Sequence, residues 1–429
     1  MNKIYNPNRS EWSAVLERPT QTVADIEQTV EAIFREVQNN GDATLKKYTE
    51  KFDGVVIENL VVSNNEIEEA SALVSQELKD AIQLAKNNIE VFHKAQKTSK
   101  VSVETAKGVQ CWQEKRPIQK VGLYIPGGTA PLFSTILMLA VPATIAGCEE
   151  LVLCSPPNKE GKINPAILYT AHLCGVKKVF KVGGIQAIAS MTFGTETVPA
   201  VYKIFGPGNQ FVTVAKQIAT KYGISIDMPA GPSELLVLAD DSANPAFVAS
   251  DLLSQAEHGV DSQVILVSTS KAMIDAVEIE VEKQLPELPR KDIAEKAIAN
   301  SKLIYVADDQ TANDLINEYG PEHYIVCVEN EDFFVTNIKN AGSVFIGNYT
   351  PESAGDYASG TNHTLPTNGY AKQYSGVNLD SFMKSMTFQK ISEMGIKEIG
   401  DAIELMAEAE GLYAHKNAVT LRLNSLKNE

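Results

Sequence analysis

The residues with the clearest chemical potential, Gln255 and His258, lie in the stretch SQAEHG near the end of a predicted helix. This helix is predicted to begin at Asn244 and to stop at Gly259, because asparagine caps helix starts and glycine favours helix ends. Asp251 lies on the same helical stripe as Gln255 and His258. An amide oxygen and an imidazole on the last turn can reach one cation. Taken alone, a solvated polar face is the commoner explanation of such a stripe.

A second reactive pair, Glu322 and His323, follows Gly320-Pro321 and precedes a predicted strand at 324–328. The tight turn therefore presents a carboxylate and an imidazole together. Adjacent Glu and His side chains can share general acid/base work, because the pKa of each can be tuned towards neutrality. A turn glutamate beside a solvated histidine is the alternative for this motif alone.

The polar loop 353–363, of sequence SAGDYASGTNH, follows a predicted strand at 343–347. Loops after strands are where open α/β sheets bind ligands, so we expect this loop at a ligand-binding edge. Asp356 can supply an anionic oxygen, and His363 is free to contact a substrate. His415 lies in a predicted C-terminal helix, where it would alone be taken as a surface residue.

Four of these residues could together supply two oxygen and two nitrogen ligand atoms to one metal ion, with no thiolate among them. Such a set suits a zinc-like ion that keeps room for substrate. Glutamine is an uncommon ligand, so the spacing alone does not establish the set. Its members are Gln255, His258, Asp356 and His415.

Two glycine loops follow predicted strands and precede predicted helices, at 121–128 and 205–209. Such loops place backbone N–H groups near a helix start, where anions bind. Neither loop is a standard dinucleotide fingerprint, because the third glycine position of the second loop is Phe211 and no ribose-binding acid follows. The motif search therefore leaves dinucleotide binding open.

The composition of the 429-residue chain is that of a globular protein with 44% hydrophobic residues. A formal net charge of −16 disfavours nucleic-acid or anionic-membrane partners. The five scattered cysteines predict neither a disulfide framework nor a thiolate zinc site, and they suit a reducing cytoplasm.

The N-terminal segment lacks an apolar run typical of a signal peptide. Prolines and glycines punctuate the uncharged run 121–148, which favours a buried strand, loop and helix over a membrane span.

Helical patterns at 22–38 and 67–96 dominate the N-terminal region. From residue 119 onwards, short apolar strands alternate with helices, which predicts parallel sheets buried on both faces. One doubly wound unit is predicted to end near Met228, and a second runs from about residue 234 to 347. Beyond 376 the alternation ends, and a single helix is predicted at 401–423.

With these motifs in order, the chain resembles the histidinol dehydrogenases over about residues 20–424. The resemblance is carried by Gly122-Leu123-Tyr124-Ile125-Pro126-Gly127-Gly128, Phe205-Gly206-Pro207-Gly208-Asn209, Ala230-Gly231-Pro232-Ser233-Glu234, Ser254-Gln255-Ala256-Glu257-His258-Gly259, Gly320-Pro321-Glu322-His323 and Ala414-His415-Lys416-Asn417-Ala418-Val419-Thr420-Leu421-Arg422.

The resemblance implies a cytoplasmic homodimer with shared active sites, one Zn²⁺ per subunit and NAD⁺ as cofactor. The reaction that the resemblance implies is the oxidation of L-histidinol to L-histidine through L-histidinaldehyde, the last step of histidine biosynthesis. The implied fold is α/β, with two doubly wound, incomplete Rossmann-like sheet domains, N-terminal helices and a C-terminal helical tail that exchanges with the partner subunit. The implied domains are 20–120 plus 233–377 with most metal and catalytic residues, 121–232 contributing to NAD binding, and terminal segments 1–19 and 378–429.

The resemblance also implies a role for each matching residue. The acid/base pair is Glu322 and His323. The metal ligands are Gln255, His258, Asp356 and His415, which also contact substrate with Ser233, His323, His363 and Glu410. In the family, the histidine matching His415 and the glutamate matching Glu410 come from the partner subunit. The NAD contacts are Tyr124, Gln186 and Asn209, made without the standard glycine fingerprint.

Two other functions remain as alternatives. A zinc hydrolase would use Glu322 to activate water, but it would leave the loops of Tyr124 and Asn209 without a role. A two-lobed small-molecule binding protein would suit two α/β lobes, but it predicts a secretion signal and needs no adjacent Glu-His pair.

Overall fold

Two parallel β-sheets form the framework of the protein, because its short apolar strands are buried on both faces. The computed structural model describes residues 1–19, 24–127 and 131–427. Gly128 and the start of the helix predicted at 22–38 lie outside this range. The chain divides into two units, and both parallel sheets lie in the first. The first unit is Met1–Gln96 with Ile118–Phe382, and the second is Lys97–Pro117 with Met383–Glu429.

The strands of the described residues are β1 (Asn2–Tyr5), β2 (Val101–Ala106), β3 (Val109–Pro117), β4 (Lys120–Tyr124), β5 (Glu150–Ser155), β6 (Lys178–Lys181), β7 (Lys203–Phe205), β8 (Ser225–Ile226), β9 (Glu234–Ala239), β10 (Gln263–Ser268), β11 (Lys302–Tyr305), β12 (His323–Cys327), β13 (Ser343–Ile346) and β14 (Met383–Ile391).

The α-helices in the same ranges are α1 (Trp12–Val15), α2 (Ala24–Asn40), α3 (Asp42–Asp53), α4 (Asn64–Leu73), α5 (Gln76–Ala95), α6 (Phe133–Ala146), α7 (Pro165–Leu173), α8 (Gly184–Phe193), α9 (Gln210–Lys221), α10 (Pro245–Ala256), α11 (Lys271–Gln284), α12 (Lys291–Ala299), α13 (Asp309–Tyr319), α14 (Glu331–Asn337), α15 (Glu352–Tyr357), α16 (Glu393–Ala409) and α17 (Tyr413–Ser425).

The larger sheet has the order β1-β11-β10-β9-β12-β13, and every neighbouring pair is parallel. The strand order reverses between β9 and β12. Along β9, Leu235 and Val237 enter the core on one face, whereas Leu236 and Leu238 enter the core on the other. Helices cover both cores, as a doubly wound sheet requires.

The smaller sheet has the order β6-β5-β4-β7-β8 and is also parallel throughout. Its order reverses between β4 and β7. Leu153 of β5 points into one core, while Val152 and Cys154 point into the other. The prediction of an α/β fold with two doubly wound sheets is confirmed. Exchange of the C-terminal tail with a partner stays a prediction.

The second unit contains an antiparallel sheet that the sequence analysis did not predict. Its order is β14-β3-β2, and Met383–Ile391 pairs with Val109–Pro117 along its whole length. Helices α16 and α17 follow, and they pack through buried Val419 and Leu423. The single helix predicted at 401–423 is therefore wrong, because Gly411, with φ of +74°, separates two helices.

Three further boundaries differ from the prediction. Strand β1 was not predicted, although it pairs with β11 at the sheet edge. The block 67–96 is two helices, since Ser75 caps the start of α5 by accepting a hydrogen bond from Leu78 N. Helix α10 ends at Ala256, so His258 follows the helix, and Gly259 does not take up the left-handed conformation of a glycine cap.

All five cysteines are free thiols. Burial raises the pKa of Cys148, Cys174 and Cys327 to about 12, and it raises the pKa of Cys154 still further. Within the described ranges, no helix combines the length and the apolar character needed to cross a membrane.

A buried ion pair fixes the loop between β7 and α9. Lys216 of α9 pairs with Asp227, and the two side chains are only 4% and 1% exposed. Lys216 Nζ also donates to Gly206 O at 2.8 Å, while Gly206 N donates to Asp227 Oδ2 at 2.9 Å. Gly206 has a φ of +133°, and a Cβ there would lie 2.1 Å from Tyr124 O. The pair therefore holds a loop that only glycine allows to approach β4 so closely.

Substitution of Lys216 by Met should destabilise the protein by about 3–5 kcal/mol, because it leaves the buried carboxylate of Asp227 unpaired. The matched control is Lys221→Met on the same helix, whose side chain is 54% exposed and pairs with Glu27 and Glu31. That control should cost about 0–1 kcal/mol. Urea unfolding followed by circular dichroism measures both values, and equal losses would contradict the burial argument.

Candidate active site

The candidate site lies at the amino ends of β9 and β12 in the larger sheet. His323 is the first residue of β12, and Glu234 is the first residue of β9. Helix α10 returns to this edge, so that Gln255 on its last turn meets the backbone of Glu234. Glu322 and His323 therefore lie at the start of their strand, as predicted, and α10 and α15 carry Gln255 and Asp356 back to the same edge.

The main chain of Glu234 positions both members of the Glu322–His323 pair. Glu234 N donates to Glu322 Oε2 at 2.8 Å, and His323 Nδ1 lies 3.2 Å from Glu234 O. His323 Nδ1 lies 3.7 Å from Glu322 Oε2. Both side chains are buried, with exposures of 5% for Glu322 and 4% for His323. A carboxylate and an imidazole thus share a nearly dry site.

Three carboxylates surround the imidazole of His323. His323 Nδ1 lies 3.5 Å from Glu352 Oε1, and Nε2 lies 3.6 Å from Asp356 Oδ1. Burial lowers the pKa of His323, but the charges of Glu352, Glu322 and Asp356 outweigh it and raise the pKa to about 10. Burial raises the pKa of Glu322 to about 8. The pKa of Glu322 is therefore shifted towards neutrality, whereas the pKa of His323 is shifted above it.

Gln255 is fully buried, and its side-chain amide has two polar neighbours. Glu234 N can donate a hydrogen bond to it, and Glu352 Oε1 can accept one from it. Its amide oxygen accepts from Glu234 N at 3.1 Å, while its nitrogen donates to Glu352 Oε1. These hydrogen bonds exist only in that orientation of the amide.

The sequence analysis missed Glu352, which is 1% exposed on the first turn of α15. It lies four residues before Asp356, so both carboxylates project from one face of a short helix. That i, i+4 spacing was the available signal, but a glutamate after a proline at an exposed-looking loop start is usually a surface residue.

The side chains at this edge fit a divalent cation. Ligand atoms of His323, Glu352 and Asp356 all lie within 4.8 Å of one another. His323 Nε2 is buried and makes no hydrogen bond within the described residues. Imidazole, carboxylate and amide oxygen donors without a thiolate suit zinc in an open site.

Of the four predicted metal ligands, Gln255 contacts Glu352, and Asp356 lies 3.6 Å from His323 Nε2. Glu352 and His323 are themselves 3.5 Å apart. His258 keeps solvent-accessible surface, yet desolvation by the protein around it lowers its pKa, and the charge of Asp356 opposes this shift. His415 lies on α17 of the second unit, and its side chain is exposed.

Of the other predicted substrate contacts, Ser233 immediately precedes β9, and its carbonyl oxygen accepts from Gln263 N at 3.1 Å. Glu410 caps the C-terminal end of α16 in the second unit and is exposed. His363 lies beside Asp356, with Nδ1 2.9 Å from Asp356 O.

His363 is not free, because both of its ring nitrogens already have partners. A carbonyl oxygen can only accept, so Nδ1 carries the proton towards Asp356 O. Nε2 then accepts from Thr135 Oγ1 at 3.2 Å. Burial lowers the pKa of His363, which keeps the ring neutral.

Arg18 anchors this whole edge through Glu234. Its Nε and Nη2 donate to Glu234 Oε1 and Oε2 at 2.6 and 2.9 Å, and its guanidinium lies 3.9 Å from the centre of the Tyr319 ring. Asn368 N also donates to Glu234 Oε1 at 2.5 Å. A bidentate pair of this kind is geometrically specific, so it holds in place the residue whose main chain contacts Glu322, His323 and Gln255.

The residues predicted to contact NAD lie at the carboxyl edge of the smaller sheet. Tyr124 is the last residue of β4, and its hydroxyl accepts from Gly184 N at 3.1 Å. Gln186 is buried on α8, and its Oε1 has no hydrogen-bond partner in the part of the chain that the structure describes. Asn209 caps α9 by accepting from Val212 N at 3.1 Å. Tyr124 and Asn209 thus flank the reversal of strand order, where doubly wound sheets bind nucleotides.

The two edges are connected through α6, which follows the Tyr124 loop. Thr135 near its start contacts His363, and Asn362 Nδ2 donates to Met138 O at 2.6 Å. Asn88 of α5 adds a bond to Ala358 O at 2.8 Å. The amino edge of the larger sheet therefore meets the helices of the smaller one within the first unit.

Comparisons with known proteins agree with this architecture. The sequence model of a family described as histidinol dehydrogenase matches residues 16–423. A histidinol dehydrogenase of Bacteroides thetaiotaomicron is 59% identical over 427 residues, covering 100% of both chains. One of Pasteurella multocida is 53% identical over 428 residues, covering 99% of each chain. The crystal structure of histidinol dehydrogenase from Elizabethkingia anophelis matches with a TM-score of 0.98 at 56% identity, covering 100% of this chain and 99% of that chain.

These matches confirm the resemblance drawn from the six motifs and the prediction of an oxidoreductase. They extend over nearly the whole chain and include both sheets and the second unit. The chain belongs to the histidinol dehydrogenase family.

Proposed function

We propose that this enzyme oxidises L-histidinol to L-histidine through L-histidinaldehyde, transferring two hydrides to NAD⁺. The observation that carries the proposal is the buried Glu322–His323 pair, held by the main-chain N–H and carbonyl oxygen of Glu234 beside Gln255 and Asp356. A general acid/base pair next to cation-binding oxygens suits the oxidation of an amino alcohol. Family membership favours hydride transfer over the zinc hydrolase and over the two-lobed binding protein.

Four residues would hold one Zn²⁺ per subunit: Gln255, His258, Asp356 and His415. When bound, zinc would anchor the amino and imidazole nitrogens of the substrate and offset the carboxylate charge that raises the pKa of His323. Ser233, His363 and Glu410 would complete the substrate contacts, with Glu410 paired to the ammonium or imidazole group.

The two acid/base residues would divide the work between the two oxidations. His323 would take the hydroxyl proton of histidinol as hydride leaves the carbinol carbon. The aldehyde then needs water for the second oxidation, and Glu322 would be the base that activates this water. Its hydrogen bond from Glu234 N fixes Oε2 and leaves Oε1 to act.

NAD⁺ would bind at the carboxyl edge of the smaller sheet, at Tyr124, Gln186 and Asn209. The orphaned Oε1 of Gln186 is an acceptor available to the cofactor. The close approach of the Gly206 loop to Tyr124 supplies backbone groups at the start of α9. The connection of α6 with the His363 loop would then bring the nicotinamide towards the substrate.

The shared homodimer completes the proposal. His415 and Glu410 would reach the site of the partner subunit, and the enzyme would work in the cytoplasm. The same proposal includes the division into domains. One domain combines 20–120 with 233–377, a second spans 121–232, and 1–19 and 378–429 are terminal segments.

Incubation with L-histidinol and excess NAD⁺ should produce two NADH per histidinol consumed, because a four-electron oxidation delivers two hydrides. Absorbance of NADH, with histidine measured by chromatography, tests this stoichiometry. Release of aldehyde with a single NADH would refute the second oxidation, and absence of NADH would refute the proposed reaction.

Substitution of Glu322 by Gln should lower turnover to histidine by about 10²–10⁴-fold, since the base for water is lost. Histidinaldehyde should accumulate and zinc content should not change. Glu318→Gln is the control, because Glu318 is an exposed carboxylate that pairs with Lys372. Unchanged turnover in Glu322→Gln, or loss of zinc in parallel with turnover, would contradict the assigned role.

His415→Asn should reduce zinc content and turnover together. Inactive His415→Asn subunits mixed at a 1:1 ratio with inactive Glu322→Gln subunits should restore about a quarter of wild-type activity. Random exchange makes about half of the dimers mixed, and one of the two sites in each mixed dimer carries no substitution. The measurement is activity after subunit exchange. No recovery in demonstrated mixed dimers would show that the site is not shared.

A further inference from the structure

We propose that Glu352 is a positioning residue for the metal site, which holds the Gln255 amide so that its oxygen is the atom that binds the cation. This inference rests on the proposed zinc ligation by Gln255. It assigns a task to a buried carboxylate that the acid/base mechanism does not use.

The amide of Gln255 has no solvent to compensate for a wrong orientation. Gln255 is 0% exposed and Glu352 is 1% exposed. Towards one end of the amide the protein offers a donor, Glu234 N, which Gln255 shares with Glu322 Oε2, and towards the other it offers an acceptor, Glu352 Oε1. The reversed amide would place oxygen against oxygen and N–H against N–H, which buried polar groups avoid.

The orientation matters because only one end of an amide can bind a cation. The amide nitrogen carries two N–H donors and no available lone pair, whereas the oxygen has two lone pairs. The Glu234 N–H uses one of these at 3.1 Å. The second stays available to a metal ion. Without Glu352, the amide would lose the acceptor that distinguishes its two ends.

Glu352 is itself held in place from two sides. Ser254 Oγ donates to its Oε2 at 3.4 Å, and His323 Nδ1 lies 3.5 Å from its Oε1. Carboxylates that orient metal ligands through a hydrogen bond commonly contribute 10–100-fold to metal affinity.

Direct ligation by Glu352 is the competing role, because its carboxylate lies within 4.8 Å of ligand atoms of His323 and Asp356. Both oxygens of Glu352 already accept a hydrogen bond, Oε1 from Gln255 and Oε2 from Ser254, which favours the positioning role. The two roles make different predictions for zinc affinity when Gln255 and Glu352 are changed together.

The experiment measures the zinc dissociation constant of the full-length protein by competition with a chromogenic chelator. The variants are Glu352→Ala, Glu352→Gln, Gln255→Ala and the double variant Glu352→Ala with Gln255→Ala. Glu331→Ala is the matched control, since Glu331 also opens a short helix but is exposed. Circular dichroism of the metal-free proteins checks that each variant is folded.

We expect Glu352→Ala and Gln255→Ala each to weaken zinc binding by about 10–100-fold, and the double variant to bind no more weakly than Gln255→Ala alone. Glu352→Gln retains an acceptor oxygen and should lose much less affinity than Glu352→Ala.

Multiplicative losses in the double variant, or equal losses in Glu352→Gln and Glu352→Ala, would show direct ligation and overturn the inference. Unchanged affinity in Glu352→Ala beside a loss in Gln255→Ala would overturn it as well, while the proposed zinc site would stand. Unchanged affinity in Gln255→Ala would instead refute the proposed metal ligand set itself.

Discussion

The main chain of Glu234 is the constraint on which the site depends. Its N–H meets both Glu322 and Gln255, and its carbonyl oxygen faces His323. The N–H and the carbonyl group of Glu234 can direct three side chains only if the residue that joins them is fixed, and the bidentate contact of the Glu234 side chain with Arg18 fixes it. A residue of the N-terminal segment thus supports the candidate site without contacting Glu322, His323 or Gln255.

The two parallel sheets carry the candidate site residues at opposite edges. In the smaller sheet, Tyr124 and Asn209 lie at the carboxyl edge, where the strand order reverses and nucleotides are usually bound. In the larger sheet, the charged groups lie at the amino edge, around Glu234 and His323. The contacts of α6 with Asn362 and His363 join these edges. This arrangement explains why two sheets of the same construction have different roles.

The sequence predicted the parallel sheets well, because strands buried on both faces have an unmistakable apolar pattern, as in Leu235–Leu238. It also predicted the family and the convergence of Gln255, Glu322, His323 and Asp356, because their motifs are specific. It could not predict β14 paired with β3, since this pairing joins segments far apart in the chain. Neither could local pattern identify Glu352 or Arg18, whose burial depends on tertiary contacts. Local pattern also could not show that α10 and α15 return Gln255 and Asp356 to the amino edge of the larger sheet.

The thiols illustrate how burial determines reactivity. Four cysteines lie in the first unit, and their raised pKa values keep them protonated and poorly nucleophilic at neutral pH. Cys111 is partly exposed on β3 of the second unit. A maleimide fluorophore should therefore label the second unit of the native enzyme preferentially, which provides an optical probe of the antiparallel sheet without any engineered residue.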